Sequence, residues 1–305
     1  MPDTKMLEEH SEDIFKDPAM FFEVFSPFGA PYEYQAHVLR DQSRFISVVK
    51  GRQVGMSWAM AMKILWEALM DLGDDDSPYV AVIFSKGERQ SKLLFKKIRR
   101  VVNNSPLQRY VESDTVTSMK FTHGPEIHAV PSGNTGDQIR GFSANTLLAT
   151  EAAFIHDNVF DSLEPMLFNT GGNLYLESSP MGKNGKFYRS QRDEEFSRYH
   201  VSSRMCPDID NEDLENWRRD RTKADFKREV LGEFVEDSDT YFPMDLIRGT
   251  IGTYSGRDAS VDRRFLSVDL ADSGKDETIF VIFRLYEDGM VDTERVIARP
   301  KDQLS

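Results

Sequence analysis

In the stretch "VVKGRQVGMSWAMAMKIL", Val48 to Leu65, an apolar run enters a glycine-containing loop and leaves it as a helix. Nucleoside triphosphates are commonly held by such a unit through the pattern G-x-x-x-x-G-K-[ST]. Here Gly55 and Ser57 fit the pattern, Lys50 stands where its first glycine belongs, and Met56 stands where its lysine belongs. Gly51 and Gly55 permit tight turns, and a helix starting near Ser57 turns unpaired N–H groups and its positive dipole end toward an anion. Ser57 would give its hydroxyl to Mg²⁺. Because such a loop wraps back around the phosphates, a lysine at its entrance reaches the region served by one at its exit, so Lys50 can replace what Met56 lacks. Taken alone, the stretch fits an ordinary turn with a surface lysine equally well.

Other groups with chemical capacity lie at the ends of apolar runs. In "NTLLATEAAFIHD" a carboxylate, Glu151, follows a strand-like run, the place where an ATPase holds the base that orients attacking water. The residue before it is Thr150, an uncharged group where an aspartate for Mg²⁺ is usual. In "LYLESSPMGKNGKFY" the hydroxyls of Ser178 and Ser179 end another run, where they could sense a terminal phosphate; a plain turn explains the segment nearly as well. Upstream, "FGAPYEYQAHVL" sets Tyr34 and Gln35 before the first strand, a ring that could stack on a base and an amide that could read its edge, or simply two packed residues. Asp269 ends the apolar part of "FLSVDLADSGKDET" and Asp276 follows a glycine turn, which alone reads as a hairpin with solvated acids.

These groups need a scaffold that brings strand ends together. Tyr79–Ser85, "YVAVIFS", has strand length and β-branched character, and the following "KGERQSKLLFKKIRRVV" spaces Leu93, Leu94, Ile98 and Val101 as a helix does. Uninterrupted apolar strands alternating with helices predict a mostly parallel, buried sheet. After Met205 the chain turns to charged helices, and from Arg264 strand-like runs dominate, joined by turns at Asp272–Gly274 and Glu287–Gly289. A length of 305 residues suggests roughly two domains of ~150 residues. Net charge is -13, opposite to the footprint of nonspecific nucleic-acid binding, so any polyanion contact must be local. The basic clusters "KKIRR" (Lys96 to Arg100) and "WRRDRTK" (Trp217 to Lys223) read as solvated helix faces. One cysteine, Cys206, excludes an internal disulfide, the histidines show no ligand spacing, and no apolar run approaches the ~18 residues of a membrane span. An intracellular protein is the expectation.

Taken in order, Tyr34-Gln35, "GRQVGMS", "SKGERQS", "IRGFSANTLLATEAAFI", "SSPMGKNGKFY", "FKREVLGEFVEDSDTYF" and "FLSVDLADSGKDET" resemble the large subunit of the viral terminase, the DNA-packaging motor of tailed viruses, from about Phe22 onward. The resemblance implies an α/β fold: a P-loop (ASCE-type) ATPase domain with a mostly parallel sheet over 1–205, a helical linker over 206–258, and the first strands of an RNase H-like nuclease domain over 259–305. It implies nucleotide contacts from Tyr34, Gln35 and the loop Lys50, Gly51, Arg52, Gln53, Val54, Gly55, Met56 and Ser57. Glu151 would be the catalytic base, Arg52 an arginine acting on the γ-phosphate from the same chain, and Ser178 and Ser179 a coupling segment. Some members of the family carry the loop lysine at its entrance, which fits Lys50. Mg²⁺ would be held by Ser57 with water or Glu151 completing the shell, since Thr150 departs from the family's pattern.

Asp269 and Asp276 would be ligands of the nuclease's two cations, Mg²⁺ or Mn²⁺. The last residue, Ser305, follows what would be the third strand of that domain, which leads to the expectation that cleavage needs a further C-terminal part. Implied cofactors are ATP and Mg²⁺. Implied partners are double-stranded DNA, the terminase small subunit and the portal protein of the procapsid, with a ring homo-oligomer during packaging. No membrane is implied; the place would be the cytoplasm of the infected host cell, docked transiently at the portal. The alternative is a degenerate nucleotide-binding module of a packaging complex with little or no ATP turnover.

Overall fold

The computed structural model describes residues 11–70, 78–131, 143–235, 260–270 and 277–299. The chain divides into two compact units, Met1–Pro243 and Met244–Ser305. In the first, helices α1 (Ser11–Lys16), α2 (Pro18–Phe25) and α3 (Glu33–Arg40) precede β1 (Phe45–Lys50) and α4 (Met56–Met70). Then follow β2 (Val80–Ser85), α5 (Glu88–Asn103), β3 (Val111–Asp114), β4 (Ser118–Phe121), β5 (Glu126–Pro131) and β6 (Thr146–Thr150). The unit continues with α6 (Asp157–Leu163), β7 (Asn173–Ser178), α7 (Gly185–Ser190), β8 (Ser197–Val201), α8 (Asn211–Arg219) and α9 (Lys223–Phe226), which runs on into a π-helical turn, Lys227–Leu231.

The eight strands of this unit form one sheet in the order β3-β4-β5-β2-β6-β7-β1-β8. From β5 to β8 all neighbours are parallel, and β3 and β4 extend the β5 edge antiparallel. The expected mostly parallel α/β architecture is what the chain adopts. Its inner strands β1, β2, β6 and β7 are apolar over most of their length because both faces are covered. Successive side chains point to opposite faces, so Ile46, Val48, Ala81, Ile83, Leu148 and Tyr175 join the core layer that contains α2 to α5. Val49, Val82, Phe84, Leu147, Leu174 and Leu176 join the other layer, with Val159 and Phe160 of α6 and Phe187 of α7.

The charged helices that follow Met205 belong to the first unit, and a backbone bond ties their last turn to the loop after β1: Arg52 N–H donates to Glu229 O at 2.8 Å. The second unit is an antiparallel meander in the order β11-β10-β9, made of β9 (Val261–Asp269), β10 (Thr278–Tyr286) and β11 (Val291–Arg299). Asp269 is the last residue of β9, paired with Ile279. Asp276, its expected companion, lies outside the described residues.

Candidate active site

The site is built by parity along adjacent strands. In β1, Lys50 falls on the same face as Ile46 and Val48, the face on which α4 packs. Thr150, last in β6, and Glu177, in β7, fall on that face as well, and the register sets them directly side by side, Thr150 against Glu177 and Val48 against Glu177. Four side chains therefore converge. Glu177 Oε1 accepts hydrogen bonds from Thr150 Oγ1 at 2.6 Å and Ser57 Oγ at 3.0 Å. Glu177 Oε2 lies 3.3 Å from Lys50 Nζ in an ion pair, but accepts no well-directed hydrogen bond. Glu177 is fully buried at 0% exposure. Burial works to raise its pKa, yet the Lys50 ammonium and the Thr150 and Ser57 hydroxyls outweigh it and hold the carboxyl below the usual glutamate value.

The loop between β1 and α4 has an unusual backbone. Gln53 adopts φ 60° and Gly55 φ 70°, left-handed values that a glutamine takes only under constraint. Alternating handedness is the backbone pattern of an anion-binding nest, and the N–H groups of Gln53, Val54 and Gly55 make no hydrogen bond among the described residues. Behind the loop, Tyr34 Oη donates to Val54 O at 2.8 Å and Gln35 Nε2 to the same oxygen at 3.3 Å, while Gln35 Oε1 accepts from Tyr32 N–H at 3.0 Å. Both residues are buried, so the tyrosine–glutamine pair braces the loop. Its rim is a hollow of about 240 Å³ lined by Phe28, Tyr32, Gln35, Gly55 and Trp58, which gives Phe28 and Tyr32 as the rings open to a planar ligand.

Met56 is 1% exposed within the core, which explains why a lysine is absent there: the side chain points inward and only the backbone faces the loop. Lys63, deeper in α4, is also unavailable to a ligand, since its Nζ donates to Leu39 O at 3.0 Å and Asp41 O at 2.6 Å. Arg52 carries its guanidinium outward, 71% exposed and paired with Glu229. Ser178 and Ser179 are buried at the end of β7, and Ser178 Oγ has no hydrogen-bond partner among the described residues. Glu151 is left-handed at φ 58°, a turn that carries it off the strand. It lines a cavity of about 570 Å³ together with Gly55, Ser57, Thr150, Lys97 and Arg100.

Besides the rings Phe28, Tyr32 and Trp58, two residues of this site are absent from the sequence-based set. One is Glu177, whose signal is a lone charge inside the apolar run "NLYLES". The other is Lys97, on α5, which senses both Glu177 and Lys50; burial pulls its pKa below the ordinary lysine value, with Glu177 opposing and Lys50 adding to the shift. Among the described residues no group of three His, Cys, Asp or Glu side chains could hold a metal by itself. Mg²⁺ that binds with a nucleotide takes one or two protein ligands and several phosphate or water oxygens. A buried carboxylate and a serine hydroxyl in contact are a donor set of that kind.

No family model matches the sequence, and no curated protein does. Solved structures do match. The large terminase ATPase domain of Thermus phage P74-26 superposes with a TM-score of 0.56 at 19% identity, covering 77% of this chain and 99% of that one. The large terminase of a thermophilic bacteriophage, in complex with ADP, gives a TM-score of 0.56 at 14% identity over 89% of this chain and 69% of its own. The large terminase of bacteriophage HK97 gives 0.54 at 16% identity over 92% of this chain and 66% of its own. With the mostly parallel sheet and these superpositions in agreement, the chain has the fold of the bacteriophage large terminases.

Proposed function

We propose that this chain is the ATP-hydrolysing subunit of a motor that drives double-stranded viral DNA into a procapsid. The observation that carries this reading is the convergence of Lys50 and Ser57 beside a loop with a nest-like backbone, at the ends of parallel strands, in a fold whose solved examples include a phage terminase bound to ADP and to ATP-γ-S. Lys50 and the N–H groups of the loop would neutralise and orient the phosphates. The hollow bordered by Phe28, Tyr32 and Gln35 would take the base. Glu151, at the edge of the neighbouring cavity, would accept the proton of the attacking water as the water's oxygen bonds the terminal phosphorus and the bond from that phosphorus to the bridging oxygen breaks, leaving ADP and phosphate. Bound Mg²⁺ would offset charge on the phosphate oxygens, with Ser57 as a ligand. For Arg52 to reach the γ-phosphate it would have to leave Glu229. Ser178 and Ser179 would couple hydrolysis to movement. The remaining parts of this reading are a nuclease role for Asp269 and Asp276 and division into segments 1–205, 206–258 and 259–305. Assembly with the small subunit and portal protein as a ring completes it.

Lys50→Ala is expected to lower turnover roughly 10²-fold or more, as removal of one preorganised electrostatic contact does. Hydrolysis at the parental rate would exclude the loop as the phosphate site. Glu151→Gln keeps shape while removing charge, so nucleotide should still bind as turnover falls; equal loss of both would make Glu151 structural. A second reading, a module that grips nucleotide without turnover, draws support from Thr150 in place of an acid. ATPase assays of the purified chain with and without DNA separate the two.

A further inference from the structure

Resting on the nucleotide reading above, we infer that Glu177 is the acidic metal-site residue that Thr150 fails to supply, and that Lys50 keeps it neutralised until phosphate arrives. Thr150 and Glu177 are direct neighbours on adjacent parallel strands, on one face of the sheet. Adjacent strands are about 4.8 Å apart, a distance that the longer glutamate side chain spans. It does so here: Glu177 Oε1 touches the Thr150 hydroxyl at 2.6 Å and the Ser57 hydroxyl at 3.0 Å. A carboxylate is thus delivered to the spot an aspartate at 150 would occupy, from the next strand over.

The alternative is a purely structural glutamate, and two features argue against it. A residue at 0% exposure with an oxygen that accepts no well-directed hydrogen bond is a poor way to stabilise a core, because a buried charge needs its lone pairs satisfied. Among the described residues its ion pair is with Lys50, the residue placed to bind phosphate. Drawn to an incoming phosphate, Lys50 would leave the buried Glu177 without its ion-pair partner, its charge offset in part by the field of Lys97. A divalent cation arriving with the nucleotide is the natural replacement, which makes Glu177 a ligand to that cation directly or through one of its waters. Nucleotide without metal would instead leave Lys50 divided between Glu177 and the phosphates, so metal and nucleotide should bind cooperatively.

The test uses the whole 305-residue chain and measures binding. ADP affinity is determined by calorimetry in Mg²⁺ and in EDTA, and Mn²⁺ affinity of the ADP complex by electron paramagnetic resonance. Glu177→Gln, an isosteric change, should retain or improve ADP binding in EDTA, since Lys50 is released, while Mn²⁺ affinity falls about 10- to 100-fold. Moving the acid back, Thr150→Asp combined with Glu177→Thr, should recover Mn²⁺ affinity, and it decides the matter if Glu177→Gln fails to fold. Parental Mn²⁺ affinity in Glu177→Gln, or no recovery on moving the acid, overturns the inference while leaving the nucleotide site standing. Failure of the parental chain to bind ADP in either buffer overturns both.

Discussion

Gly51 owes its identity to close contacts, which a single methyl group tests. A Cβ there would stand 2.8 Å from Ser203 N and closer still to Ser203 Oγ and Val230 O, and that carbonyl belongs to backbone that cannot swing aside. Gly51→Ala is therefore expected to destabilise the chain by roughly 1–3 kcal/mol through overpacking and to weaken ADP binding by displacing the loop; an unchanged melting temperature would refute the contact. Such residues divide by how far their partners lie along the chain. Lys50, Gly55 and Ser57 are legible because their spacing within one loop carries the chemistry. The Tyr34-Gln35 pair is legible as a pair near the loop, but its carbonyl partner, Val54 O, only folding reveals. Glu177 is not legible as part of the site, because its meaning depends on lying beside Thr150, a matter of register between strands with a helix between them.

At the scale of elements, the apolar runs of β1, β2, β6 and β7 announce a buried parallel sheet. The edge strand β8, "SRYHV", mixes polar and apolar residues and is only part-buried, so no strand signal stands out. The helical layer before β1 is pinned by a cap that makes a separate prediction. Asp17 Oδ1 accepts from Ala19 N–H at 2.9 Å at the start of α2, and Arg40, ending α3, donates to the same carboxylate at 2.7 Å. The Arg40 guanidinium, with help from the helix N–H groups and against partial burial, holds the Asp17 carboxyl below its usual value. A carboxyl whose folded pKa is depressed adds stability that is present above the unfolded value, about 3.8, and lost as pH falls through the lower folded one. Asp17→Ala should then cost about 1 kcal/mol at pH 7, the usual worth of an N-cap, with little added for an Arg40 that is 54% exposed. In urea titrations the gap between variant and parent should narrow below pH about 4; a gap independent of pH would assign the cost to lost packing.

For the whole molecule, every residue of the candidate active site lies in the unit Met1–Pro243, and that unit holds the two large core layers on either side of its sheet. The second unit has a different balance. Along β10 only the end residues Thr278 and Tyr286 are buried, and β9 is exposed over nearly its whole length. Three strands can stand alone only with an apolar face packed against something, and a segment this short, taken by itself, buries too little surface to offset its chain entropy. The two units should therefore differ in autonomy. A polypeptide of residues 1–243 is expected to melt in one cooperative transition and to bind Mg²⁺-ADP with the affinity of the 305-residue chain, whereas residues 244–305 alone should show neither a cooperative transition nor slowed amide exchange. Slow exchange in the isolated 244–305 piece would mean that the meander carries its own core, and loss of ADP binding in 1–243 would mean that the site draws on residues beyond Pro243. Because both measurements read folding or binding rather than turnover, they stay informative even where hydrolysis is slow.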